Sequence, residues 1–276
     1  MPTERIIRMK QRLLGTRPSI SAERMLLATR AYQKYAGEET QIFRAKVFAY
    51  VLDHMSVVIG GGELIVGNQN KRFRCASIFP EYTGQWLREQ IDTLPTRPND
   101  PLEVPAEERA VILKCLDWWK GRSLEEQAEQ FLPEDVQQAR AAGIISVGSR
   151  TLSTGHTTPD YGKLFQKGFY GLIEDCRRKI SEAGGGTCEA QERVDFWSAS
   201  ILSCQAVIRF AGRYADLAER MAQAEPSETR RKELLQIASN CRRVPELPPR
   251  SFYEALQFVW FVQLLFHVES NSSANC

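Results

Sequence analysis

The chain has 276 residues, 43% hydrophobic and 25% charged, with a formal net charge of +2. This is a globular composition, and the length exceeds the roughly 100–200 residues of a usual domain, so a sizeable core is expected. The near balance of 36 basic and 34 acidic residues leaves no electrostatic footprint for nucleic acid or anionic lipid, and neither is expected as a partner.

Residues 3–14 read as an amphipathic lead-in helix whose scattered charges exclude a signal peptide. "PSISAERMLLATRAYQKYAG" predicts a helix with Ser21 as N-cap, Met25, Ala28, Tyr32 and Tyr35 on one face, and a stop at Gly37. "ETQIFRAKVFAYVLDHMSVVI" continues as another, and His54 near its end reads as a packed or dipole-complementing side chain. "GGELIVGNQN" reads as a short strand or extended segment entering a loop. "RCASIFPEY" stays extended, because Phe79 precedes a proline. "TGQWLREQIDTL" returns to helix, and the four prolines of "PTRPNDPLEVP" make a loop.

Helices are then predicted over 106–120, 124–131 and 133–142. Ser123 and Glu126 form a capping box, and Pro133 suits a first helical position. Residues 143–160 are irregular. Asp160 caps a helix from Tyr161 to about Ala183, and Gly184–Gly186 stop it. The longest helix covers about 190–223, with Val194, Trp197, Ile201, Cys204, Ile208, Ala211, Ala215 and Ala218 as a continuous apolar seam. "SETRRKELLQIASNC" is a shorter helix, "ELPPR" breaks the chain, and Ser251 with Glu254 opens the last one.

That last helix, Phe252 to Val268, is hydrophobic nearly all round, which belongs in the middle of a larger core. Its apolar run of about 14 residues is short of the ~20 that span a membrane. Only "ESNSSANC" follows, so the sequence is expected to be cut short. His267, inside the helix, reads as a satisfied core histidine.

The seven cysteines are dispersed and show no metal-ligand spacing, so they are expected to be reduced, mostly buried thiols in the cytoplasm. No GxSxG, P-loop, HExxH or strand-borne GxGxxG occurs. Residue spacing alone supports a mostly helical protein and no particular chemistry.

Several segments carry a resemblance further: "ERIIRMKQRLL", "RAKVFAYVLDHMSVVIGGGELIVGNQN", "IFPEYTGQWLREQIDTLPTRP", "GHTTPDYGKLFQKGFYGL", "RYADLAERMA" and "PPRSFYEALQFVWFVQLLFHVESN". In this order they resemble the N-terminal domain of glycyl radical enzymes of the pyruvate formate-lyase family, on the dehydratase and lyase branch. The resemblance implies the N-terminal portion of a ten-stranded α/β barrel, mostly α in this fragment with few short strands. Residues 1–276 would then be a truncated N-terminal part of the domain, without its C-terminal half or glycine radical domain. It also implies anaerobic cleavage of a C–O, C–C or C–N bond in a small polar substrate by a thiyl radical mechanism. The chain itself would bind no cofactor. The glycyl radical, installed by an S-adenosylmethionine-dependent iron–sulfur activating enzyme, belongs to the missing part, as does the thiyl cysteine, since no Gly-Cys dipeptide occurs here. The complete protein would be a homo-oligomer, and the fragment alone inactive.

On this resemblance His156 is the candidate catalytic residue, able to bond a substrate hydroxyl or pass a proton. Asn271, Ser272 and Ser273 join it as candidate substrate-binding residues. Diol dehydratases of the family carry Gly-His-Ser where Ser272, Ser273 and Ala274 stand, and the lost histidine weakens glycerol or propanediol as substrate. The expected arrangement has His156 facing the same cavity as the turn after the last helix. The competing reading is a non-catalytic helical interaction module, or a decayed gene product, derived from this domain.

Overall fold

The computed structural model describes residues 3–146, 158–184 and 186–270. Among these residues are eleven helices and two three-residue strands. The first helix, α1, covers Glu4–Gly15 and exposes Ile6, Ile7, Leu13 and Leu14. Ser19–Ser21 form strand β1, which pairs in parallel with β2, Cys75–Ser77. Ser21 is therefore a strand residue and not the N-cap predicted for α2, Glu23–Lys34. The cap is Ala22, whose amide donates to the Glu108 carboxylate at 2.7 Å. The Ser21 hydroxyl still accepts from the Glu23 amide at 3.2 Å, so a near and a distant side chain share the start of α2.

Helix α3 covers Thr40–His54. After the short α4, Gln85–Gln90, come α5, Ala106–Trp119, α6, Leu124–Glu129, and α7, Glu134–Ala141. The Ser123–Glu126 capping box forms in half: the Ser123 hydroxyl accepts from the Glu126 amide and donates to its carboxylate, which takes the Gly121 amide in place of that of Ser123. Pro133 sits one position earlier than predicted, at the N-cap. One apolar core gathers α2, α5 and the strands around Met25, Leu116 and Trp119.

Helix α8, Tyr161–Glu182, bends where a continuous helix was expected. Gly168 has φ 62, and a Cβ there would lie 2.3 Å from the carbonyl oxygen of Glu246. The 245–246 backbone approaches so closely because its carbonyls accept from the amides of Phe169 and Tyr170. Helix α9, Cys188–Ala224, packs against α3, α8 and α10, Glu228–Arg243. Its buried stripe includes Ala206, Phe210, Tyr214, Ala218 and Ala222. The predicted seam is buried at Ala211, Ala215 and Ala218. Val194, Trp197, Ile201, Cys204 and Ile208 are only half-buried, and Trp197 and Cys204 among them line an open cavity.

Helix α11, Phe252–Glu269, holds an extended segment along one side with its own side chains. Gln257 accepts from the Val66 amide at 2.9 Å and donates to the Val66 carbonyl at 2.8 Å. Trp260 donates to Gly67 O, and Gln69 donates back to His267 O. "GGELIVGNQN" is thus the extended option of the two predicted, with no strand. Polar side chains spaced along a helix satisfy its backbone in place of a sheet neighbour. Gly67 has φ 138, and a Cβ would come within 2.9 Å of Leu264 and Trp260, so only glycine lets the segment lie this close.

Candidate functional site

The end of α11 leads directly to the predicted substrate-binding residues. The last carbonyls of a helix have no partner within it. Here Arg24 of α2 supplies one: its Nε donates to Val268 O at 2.7 Å and its Nη2 to Glu269 O at 3.3 Å. The same guanidinium pairs with Glu81 through Nη2–Oε1 at 2.5 Å and Nη1–Oε2 at 3.2 Å. It also lies 3.7 Å from the centre of the Phe79 ring. Both side chains are almost fully buried, at 7% and 5% exposure. Such a pair needs every donor used, and this one meets that need.

Local sequence makes the arrangement possible. Pro80 ends the extended run, and the amides of Tyr82 and Thr83 turn back to Phe79 O. That turn aims Glu81 inward. Arg44 of α3 pairs with the Glu269 carboxylate and donates to the Tyr82 hydroxyl at 3.2 Å. Burial, followed by the Glu81 charge, pushes the Tyr32 hydroxyl up to about 12. Between these groups lies a cavity of about 20 Å³ lined by Arg24, Tyr32, Arg44, Glu81 and Glu269, room for one bridging water.

A larger cavity of about 740 Å³ lies between α3, α8 and α9. Its volume is that of a small-molecule site. Arg44, Lys163, Lys179, Trp197, Cys204 and Glu269 line it. Burial pushes the Cys204 thiol up to about 12 and the Cys176 thiol, which lines the same cavity, in the same direction. Both stay protonated and are poor nucleophiles at neutral pH.

His156, Asn271, Ser272 and Ser273 lie outside the described residues. Asp160 caps α8 as expected, accepting from the Lys163 amide at 2.9 Å. Lys163, seven residues after His156, and Glu269, two before Asn271, line the same large cavity. The first turns of α8 are held there because Tyr161, Leu164 and Phe165 pack with Phe258, Val262 and Phe266 of α11.

The other two histidines have structural roles. His54 bonds Tyr50 O through Nδ1 at 2.8 Å and stacks on the Tyr50 ring. His267 is half-buried, with Nε2 at 3.3 Å from Gln263. The six described cysteines are free thiols; Cys115 and Cys241 are buried, but Cys188 is exposed on the first turn of α9, against the expectation of burial. Among the described residues no cluster of His, Cys, Asp or Glu is arranged to hold a metal. None of their helices is long and apolar enough to cross a membrane.

Sequence reading missed Arg24, Glu81, Arg44 and Tyr82. A signal for Arg24 was present: it shares the face of α2 with Ala28 and Ala31, at three- and four-residue steps, so a charge sat on the buried stripe.

The family model described as pyruvate formate lyase-like matches residues 2–276. The chain belongs to this family. Among curated relatives, it is 33% identical to the probable dehydratase YbiW of Escherichia coli K12, over 92% of this chain and 32% of that protein. It is 32% identical to the isethionate sulfite-lyase of Oleidesulfovibrio alaskensis, over 98% of this chain and 34% of that one. Among solved structures, one on 1,2-propanediol dehydration in Roseburia inulinivorans superposes with a TM-score of 0.95 at 31% identity, covering 99% of this chain and 33% of that chain. The mostly helical fold is thus that of the N-terminal third of glycyl radical enzyme structures. The chain spans about a third of the length of the curated relatives it matches.

Proposed function

We propose that residues 1–276 are the N-terminal part of a pyruvate formate-lyase-type domain and supply one wall of the substrate cavity of an anaerobic, cytoplasmic glycyl radical enzyme. The enzyme cleaves a C–O, C–C or C–N bond of a small polar substrate; a relative named for releasing sulfite adds a carbon–sulfur bond to that range. The radical chemistry, hydrogen-atom abstraction from substrate, is supplied by polypeptide outside this chain after an S-adenosylmethionine-dependent enzyme has activated it. The complete protein is a homo-oligomer. This chain's own part is to bind and orient the substrate and exclude water. His156 bonds a substrate hydroxyl or passes a proton to a leaving hydroxide, and Asn271, Ser272 and Ser273 bond its polar groups.

The observation that carries this reading is one cavity lined both by Lys163, seven residues after His156, and by Glu269, two before Asn271. The coding DNA beyond codon 276 tests it. An in-frame continuation with a Gly-Cys-Val-Glu motif and an Arg-Val-x-Gly-Tyr-like loop is expected. A stop or an unrelated continuation would overturn the enzyme reading and favour a helical interaction module.

A further inference from the structure

The exit of α11 is held by an unusual partner. Most helix C-termini are finished by a glycine turn or by water. Here a guanidinium from the second helix, 244 residues earlier, takes Val268 O at 2.7 Å and reaches Glu269 O at 3.3 Å. Its remaining donors go to Ile78 O and Glu81. Glu81 and the Phe79 ring stand on two sides of it, so the fork has one available orientation. Arg44 holds the side chain of the same Glu269, giving two arginines on one helix end. The cation pair sits on α2 and α3, so the end of α11 is registered against the N-terminal helices and not only against its own core.

We infer that Arg24 is a positioning residue: with Glu81 it fixes the end of α11 at residues 268–270, the described backbone that precedes Asn271, Ser272 and Ser273. This rests on the proposed substrate role of those three residues. Arg24 itself is separated from the large cavity, whose lining includes Arg44 and Glu269 but not Arg24. It therefore acts on substrate through the backbone of residues 268 and 269. Lysine cannot replace it fully, because one ammonium cannot satisfy carbonyls and a carboxylate in the geometry of a planar fork.

Two readouts test this separately. The first is amide hydrogen exchange in the 276-residue chain, comparing wild type with Arg24→Lys, Arg24→Met and Glu81→Gln. Arg24→Met is expected to speed exchange of the amides of residues 267–270 by about 100-fold or more, since it strands a buried carboxylate and three carbonyls. Arg24→Lys should rescue part of this, and the α9 core amides should stay protected in both. Should Arg24→Met unfold the chain, Arg24→Lys and Glu81→Gln carry the comparison. Unchanged protection at 267–270 in folded variants would overturn the inference and leave the substrate reading standing. The second is steady-state kinetics of the complete, activated protein carrying Arg24→Lys. A rise in KM larger than the fall in kcat is expected. A loosened helix end with unaltered KM and kcat would overturn the positioning role. If Ser272→Ala and Ser273→Ala were also silent, the substrate reading would fall with it.

Discussion

Helices α9 and α11 carry the largest apolar surfaces of the chain and spend them differently. In α9 the buried stripe is mostly alanine with Phe210 and Tyr214, and the opposite face is polar, with Arg209, Asp216 and Arg220 exposed. Small residues let α3 and α10 approach closely, and from Ala206 to Ala222 the stripe is buried. In α11 the buried face, Phe258, Phe261, Leu264 and Val268, faces an outer face on which Phe252, Leu256 and Trp260 remain 79%, 43% and 42% exposed. A periodic apolar stripe encodes burial on one side; apolarity all round encodes burial on both. The second half of α9 spends its stripe among the described residues, whereas the outer face of α11 stays exposed.

This contrast can be broken by mutation. Phe210→Ala, at 1% exposure, should cost about 3–5 kcal/mol in urea unfolding. Phe252→Ala, in the same chain, should change stability by less than about 0.5 kcal/mol. Equal losses would erase the distinction between the two helices. Gln257→Leu should fall between them. It leaves the Val66 amide and carbonyl without partners, at about 1–3 kcal/mol for a stranded group, and exchange of the Val66 amide should rise with it.

A smaller effect is alkaline. Burial pushes the thiols of Cys204 on α9 and Cys241 on α10 from 9.0 up to about 12. Once unfolded, they ionise near 9, while the folded thiols keep their protons. The unfolded state then binds fewer protons, so stability is full below about pH 9 and falls as pH rises toward about 12. Urea midpoints measured on either side of pH 9 should show this, and Cys241→Ala should flatten the slope. A midpoint that climbs with pH would contradict the burial argument. At neutral pH the exposed Cys188 should be alkylated before either of them.

How far the sequence could be read follows the range of the interactions. Helices defined by local periodicity and caps, such as those from Ser123, Asp160 and Ser227, are legible because cap and helix lie within a few residues. Even there the Ser251 box forms only half: Ser251 accepts from the Glu254 amide, but Glu254 turns to the amide of Arg250. Strand β1 is illegible because its partner lies 56 residues away, beyond the reach of any local pattern. The zipped loop at Leu64–Gln69 is illegible for the same reason, since its hydrogen bonds come from α11. The resemblance alone offers His156 and residues 271–273 as site candidates, and they lie outside the described residues. The Arg24–Glu81 clamp beneath it depends on a fold no local pattern specifies.

The proposed function rests on His156 and residues 271–273 serving one substrate, with His156 at the chemistry. Steady-state turnover of His156→Ala in the complete, anaerobically activated protein tests it most directly. The account predicts a loss in kcat/KM of roughly 100-fold or more at an unchanged unfolding midpoint, the scale of a lost proton-transfer group. A kcat/KM within about twofold of wild type, in a folded and fully activated variant, would contradict it.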